Sequence, residues 1–133
     1  MTKILNLTQH EDTPEQKAAG VIDLPKALRE ELVDALTFMD CPDDTVVRAR
    51  ALMVAHLAND YWRHLSEIKS PLFFDAMIGG APYLMAPLER ALQDQGINPI
   101  YAFSERISEE ATKADGSIVK TSYFRHAGWI SAS

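Results

Sequence analysis

The sequence predicts an α/β domain: a small sheet with a parallel core, helices packed on it, and a C-terminal antiparallel β-hairpin. Three observations carry this. Residues 73–92 give a short apolar run, then Gly79-Gly80-Ala81-Pro82, then Leu84, Leu88 and Leu92 at a spacing of four. That pattern is a buried strand, a glycine turn and a helix with one apolar face. Lys3 to Thr8 is apolar enough for a first strand, and Asp115-Gly116 is a hairpin signal ahead of a strand-like run from Ser117 to Phe124. Strands at the start, middle and end of the chain, joined by helices, indicate a sheet with parallel neighbours.

The elements follow in order. The first strand ends in Thr8-Gln9-His10. Thr13-Pro14-Glu15-Gln16 has the capping-box pattern, with proline at the first helical position, so a short helix starts there and stops at Gly20. Pro25 opens a second helix, with Leu24, Leu28, Leu32 and Leu36 on one face. Asp40 to Asp44 breaks it, and a third helix runs from about Asp43 to about Ser66, its inner face marked by Val47, Ala51, Val54, Ala55, Ala58, Trp62 and Leu65. His56 and His64 lie off that face, about two turns apart, and read as surface or packing residues. Ser66 to Pro71 is a loop. The helix after Gly80 ends at Gly96, and the terminal hairpin covers about residues 99–130. A two-residue turn at Asp115-Gly116 would set Arg125 opposite Arg106 and His126 opposite Glu105.

Composition sets limits. The chain has 133 residues, which fits one domain. A net charge of −6 argues against a grip on duplex nucleic acid or on an anionic membrane. The single cysteine, Cys41, rules out an internal disulfide and suits a reducing, cytoplasmic compartment. No apolar run approaches the about 18 residues of a membrane span, and the polar opening does not read as a secretion signal.

In open α/β sheets ligands bind beyond the carboxyl ends of the parallel strands. Three ends converge on this reading. The first carries Thr8, Gln9 and His10, and the second carries Gly79, Gly80, Ala81 and Tyr83. The third carries Ser104, Glu105 and Arg106, with Arg125 and His126 beside it. Backbone N–H groups at the glycine turn and the two arginines suit a phosphate, and a histidine suits acid–base work near neutral pH. No cysteine ligand or paired aspartates support a metal, and no cofactor is indicated. Each residue has a plainer alternative: His10 as a loop cap, Arg106 and Arg125 as solvated hairpin charges, His126 as a structural partner of Glu105, Tyr83 as packing, and the glycine turn as a tight βα connection.

Ile4-Leu5-Asn6-Leu7-Thr8-Gln9-His10, followed by Thr13-Pro14-Glu15-Gln16, resembles the start of small stand-alone CRISPR-associated CARF-like proteins, a Rossmann-like group that includes ring nucleases. The chain is also similar to small proteins carried by phages and prophages. The resemblance covers residues 4–16, and residues 73–92 only generically. It implies a homodimer in antiviral defence that binds a cyclic oligoadenylate across its twofold axis. It also implies cleavage without metal, by attack of a ribose 2′-hydroxyl on the adjacent phosphate. Asn6, Thr8 and His10 carry over by position, while Gly79, Gly80, Arg106, Arg125 and His126 rest on the reading of the residues themselves. Two alternatives stand beside it: a non-catalytic sponge for a nucleotide signal, and a protein–protein module that uses the C-terminal hairpin.

Overall fold

A computed structural model of the chain describes residues 3–65 and 74–132. The expected loop from Ser66 to Pro71, and Phe73 at the start of the central apolar run, lie outside the described residues. The element order is β1 (Ile4–Asn6), α1 (Pro14–Ala18), β2 (Val21–Asp23), α2 (Lys26–Leu36), α3 (Asp44–Leu65), β3 (Phe74–Met77), α4 (Pro82–Asp94), β4 (Ile97–Thr112) and β5 (Ile118–Ser131).

The five strands form one sheet in the order β2-β1-β3-β4-β5. β1 to β4 run parallel and β5 pairs antiparallel with β4. This is the α/β class with a parallel core and a terminal hairpin. β2 had no counterpart in the sequence reading. Val21-Ile22-Asp23 is too short to show a period, and it becomes a strand only by pairing with β1.

Alternation within the strands divides the apolar side chains between two faces. Leu5, Phe74, Ala76, Ile78 and Ile97 pack with Leu32, Leu36, Val47, Ala51, Val54, Ala58, Leu84, Leu88 and Leu92, so α2, α3 and α4 cover this face. Ile4, Val21, Met77 and Ile100 form a smaller cluster on the other face, closed by Trp129 of β5. The helix starts follow local chemistry. Thr13 and Gln16 complete the reciprocal capping box of α1. The Asp43 carboxylate accepts the Val46 N–H at 2.9 Å ahead of α3. Pro25 is the N-cap of α2, so the helix begins at Lys26, one residue later than the sequence suggested.

The hairpin corrects the expected register. The turn has three residues: Lys113 donates its N–H to the Ser117 carbonyl at 2.8 Å, and Gly116 donates to the Lys113 carbonyl at 3.0 Å. Gly116 takes φ +88°, a left-handed position that favours glycine. The extra turn residue moves the pairing by one. Arg125 therefore faces Glu105, not Arg106, and His126 faces Ser104, not Glu105. Between Phe103 and Ser104 the register shifts back, because Ala127 is an extra residue in β5.

Candidate functional site

The site begins at Asn6, the last residue of β1, which is wholly buried. A buried primary amide must use its donors and its acceptor within the protein. Asn6 Nδ2 donates to the His10 carbonyl and to Asp23 Oδ1, both at 2.8 Å. Its Oδ1 accepts the Thr8 N–H at 2.9 Å and the Thr8 hydroxyl at 2.7 Å. The Thr8 bond makes an Asx turn, which curls residues 8–10 over the strand end. Both Nδ2 partners are acceptors only, so the network sets the orientation of the amide. Asn6 thus positions the loop from below; its side chain is buried and does not line the crevice described below.

Asp23, at the end of β2, anchors the same loop from the other side. Its carboxylate also accepts the Asp12 N–H at 3.3 Å. The Arg29 guanidinium lies 3.9 Å from it and donates to the Gln9 carbonyl at 3.1 Å. The Gln9 amide reaches the Leu36 carbonyl at 3.5 Å, the outer limit of a hydrogen bond. The strand that the sequence reading missed therefore supplies the carboxylate that holds the first strand end.

The second strand end lies directly beside the first. A Cβ added at Gly79 would sit 3.6 Å from the Thr8 methyl. Gly80 takes φ +145°, so a side chain there is strained even though there is room for it. α4 starts at Pro82 with Ala81 as N-cap, and no side chain caps it. The N-terminal end of a helix left this way favours an anion. Ala81 follows Gly80, the last residue of this strand end to line the crevice, and is not itself in the lining.

The third contribution comes from β4, at Tyr101 and Ala102. Tyr101 donates its hydroxyl to Glu89 of α4 at 2.5 Å. Burial, and then this carboxylate, push the phenol well above its ordinary value. A group whose folded value is raised contributes stability that is fully present below the unfolded phenol value of about 10 and is lost as pH climbs through the folded one. In an alkaline absorbance titration, the last phenolate to appear is expected to be that of Tyr101. Tyr101→Phe should remove that final step; loss of a step near pH 10 instead would show the Glu89 contact to be absent in solution.

Together these ends enclose an open crevice of about 600 Å³, lined by Thr8, Gln9, His10, Glu11, Thr13 and Gln16 on one side and by Met77, Ile78, Gly79, Gly80, Tyr101 and Ala102 on the other. It lies where the parallel order reverses between β1 and β3, the place at which open α/β sheets bind ligands. Its lining is mostly neutral. Among the described residues that line it, His10 is the one basic side chain and Glu11 the one acid.

The hairpin residues fall elsewhere. β4 does not end at Ser104 but continues to Thr112, so Ser104, Arg106 and Arg125 lie on the exposed arm, outside the crevice. Arg125 is paired with Glu105 at 3.2 Å, and Arg106 donates to the Ser122 hydroxyl at 3.4 Å. The His126 ring lies 4.6 Å from Trp129, and its backbone N–H donates to Glu15 at 2.7 Å. Tyr83 meets Phe38 edge to face at 5.4 Å. The sequence reading missed Thr13, Gln16 and Tyr101 as crevice residues. The capping box had already marked Thr13 and Gln16, but as helix formers. Among the described residues, no group of three or more His, Cys, Asp or Glu is placed to hold a metal ion, and no helix is long and apolar enough to cross a membrane.

Residues 2–130 match the family described as Uncharacterized protein MJ1673 family. The chain belongs to that family. No curated protein and no solved structure matches it.

Proposed function

We propose that the crevice binds a nucleotide of the cyclic-oligonucleotide class and holds it intact, in the cytoplasm, as a sink or sensor for that signal. The observation that supports this reading is the position of the crevice: two strand ends and an uncapped helix start meet at the switch point of the sheet. In this reading the Gly79–Ala81 backbone takes phosphate. Thr8, Gln9, Thr13 and Gln16 offer hydrogen bonds to base and ribose. The Tyr101 ring, its hydroxyl held by Glu89, offers a face for stacking. A volume of about 600 Å³ suits one to about two nucleotide units, with a larger ring extending through the open mouth.

Metal-free cleavage is the second reading, favoured by His10 in the lining. It has lost its arginines, since Arg106 and Arg125 are on the arm. Among the described residues of the crevice, phosphoryl charge in a transition state would then have backbone N–H groups and His10 to stabilise it.

Calorimetry and thermal shift against linear and cyclic oligonucleotides in EDTA test both readings. A ligand at a hundred times its Kd should add about 2.7 kcal/mol of stability. Gly79→Ala, which adds a methyl toward Thr8 without backbone strain, should weaken binding about tenfold, or about 1.4 kcal/mol. Recovery of intact ligand supports the sink; linear products that vanish with His10→Ala support cleavage. Absence of binding by every nucleotide tested would end both.

A further inference from the structure

The arm formed by β4 and β5 is exposed on both faces between Ser104 and Arg125, apart from the half-buried Ile107 and Val119. An isolated two-stranded hairpin is marginal in water, and β5 is the edge of the sheet. Natural edges are blunted by short strands, prolines or charges that point inward. β2, at the opposite edge, is three residues long. β5 is fourteen residues long, and its run from Ile118 to Phe124 has no proline and a single charge, Lys120.

The ladder shows which groups this edge offers. Lys113 donates to the Ser117 carbonyl, so the odd-numbered residues of the arm's β5 bond to β4. By alternation, Ile118, Lys120, Ser122 and Phe124 turn their N–H and C=O groups outward. We infer that this edge pairs with the same edge of a second copy, antiparallel, about a twofold axis at Thr121.

Symmetry narrows the choice. A twofold axis normal to a sheet keeps each side chain on its own face, so one residue must oppose itself and all opposed pairs share parity. Lys120 and Arg125, the two charges of β5, differ in parity and never meet across such an axis. With the axis at Thr121, Ile118 opposes the partner's Phe124 on one face of the sheet. Val119 opposes the partner's Tyr123 on the other, and Lys120 opposes the partner's Ser122. Aromatic with β-branched, and threonine with threonine, are favoured cross-strand pairs. Moving the axis to Ser122 sets Phe124 against the partner's Lys120 and Tyr123 against the partner's Thr121, and takes Ile118 and Val119 away from both aromatics. The run is therefore complementary to itself: two β-branched residues, a polar one, threonine, a polar one, two aromatics. Exposure agrees with this pattern, since Phe124 is 74% and Ile118 63% exposed in the single chain. Each outward pair exchanges two hydrogen bonds, giving about eight across the interface and a four-stranded arm sheet.

Sedimentation velocity on the full chain over a wide concentration range tests this. An interface of this size lies at or below the lower end of stable ones, so a reversible dimer with Kd on the order of micromolar is expected. Ser122 is exposed and turns its N–H outward, so Ser122→Pro should leave the β4–β5 ladder intact and weaken the dimer at least about tenfold. Ser122→Lys should weaken it by placing like charges opposite each other, while Ser122→Glu should tighten it a few-fold against the partner's Lys120. Circular dichroism should be unchanged in all three. A chain that stays monomeric at every concentration overturns the inference. So does a dimer indifferent to the three changes, or one weakened equally by lysine and glutamate. Nucleotide binding at the crevice is measured separately and does not bear on the result.

Discussion

Replacing Asn6 with leucine is expected to destabilise the protein by about 3 kcal/mol or more, one of the largest effects of any single polar change in the molecule. The substitution keeps the approximate shape and removes every hydrogen bond. Asp23 loses the donor to its Oδ1, and the Thr8 N–H and His10 carbonyl lose their partner. Each polar group left buried without a partner costs about 1–3 kcal/mol. Urea unfolding should show a lower midpoint with an unchanged slope, because the buried surface stays the same. The Asx turn would be lost with the amide, so ligand binding should fall as well. Asn6→Asp separates the electrostatics. Its carboxylate would sit against Asp23, like charges would raise the folded pKa of the pair, and the variant should regain stability as pH falls. A cost below about 1 kcal/mol for Asn6→Leu would show the network to be dispensable.

Replacing Trp129 with alanine is expected to cost about 2 kcal/mol or more. Trp129 closes the cluster of Ile4, Val21, Met77 and Ile100 on the second face of the sheet. Ala127 is the extra residue at which the register of the arm changes to that of the base. Deleting Ala127 should leave Trp129 where it is, because Ser104 would still face His126, Phe103 would still face Gly128 and Ala102 would still face Trp129. Thermal unfolding reads the first change and tryptophan fluorescence the second. A Trp129→Ala variant as stable as the parent would show the cluster to be dispensable, and a fluorescence shift on deletion of Ala127 would show that the bulge is needed to hold Trp129 in place.

Much of the fold was legible because its signals are local. The capping box at Thr13 and Gln16, the leucines of α4 at a spacing of four, the small residues along α3 and the glycine turn before Pro82 each act over a few residues. Two of the three strand ends were likewise placed by sequence, and Thr8, Gln9, His10, Gly79 and Gly80 do line one crevice. The third was misplaced because a strand's end depends on its neighbours. β4 pairs with parallel β3 only as far as Ile100, yet the antiparallel β5 carries it on to Thr112. Nothing in the run from Ile100 to Thr112 marks that change of partner.

By itself the sequence determined the α/β class, most helix boundaries to within a residue or two (α2 ends at Leu36, ahead of the break expected at Asp40), and the two adjacent strand ends at Thr8 and Gly79. Only the tertiary structure decided that Val21 to Asp23 is a strand and that Asp23 holds Asn6. The same is true of Tyr101 facing the crevice in place of Arg106. Periodicity and capping come from interactions within one turn or one pleat, so the chain carries them wherever it lies. Register, strand order and the partners of a buried amide depend on residues far apart in sequence, and these meet only after the loops have closed.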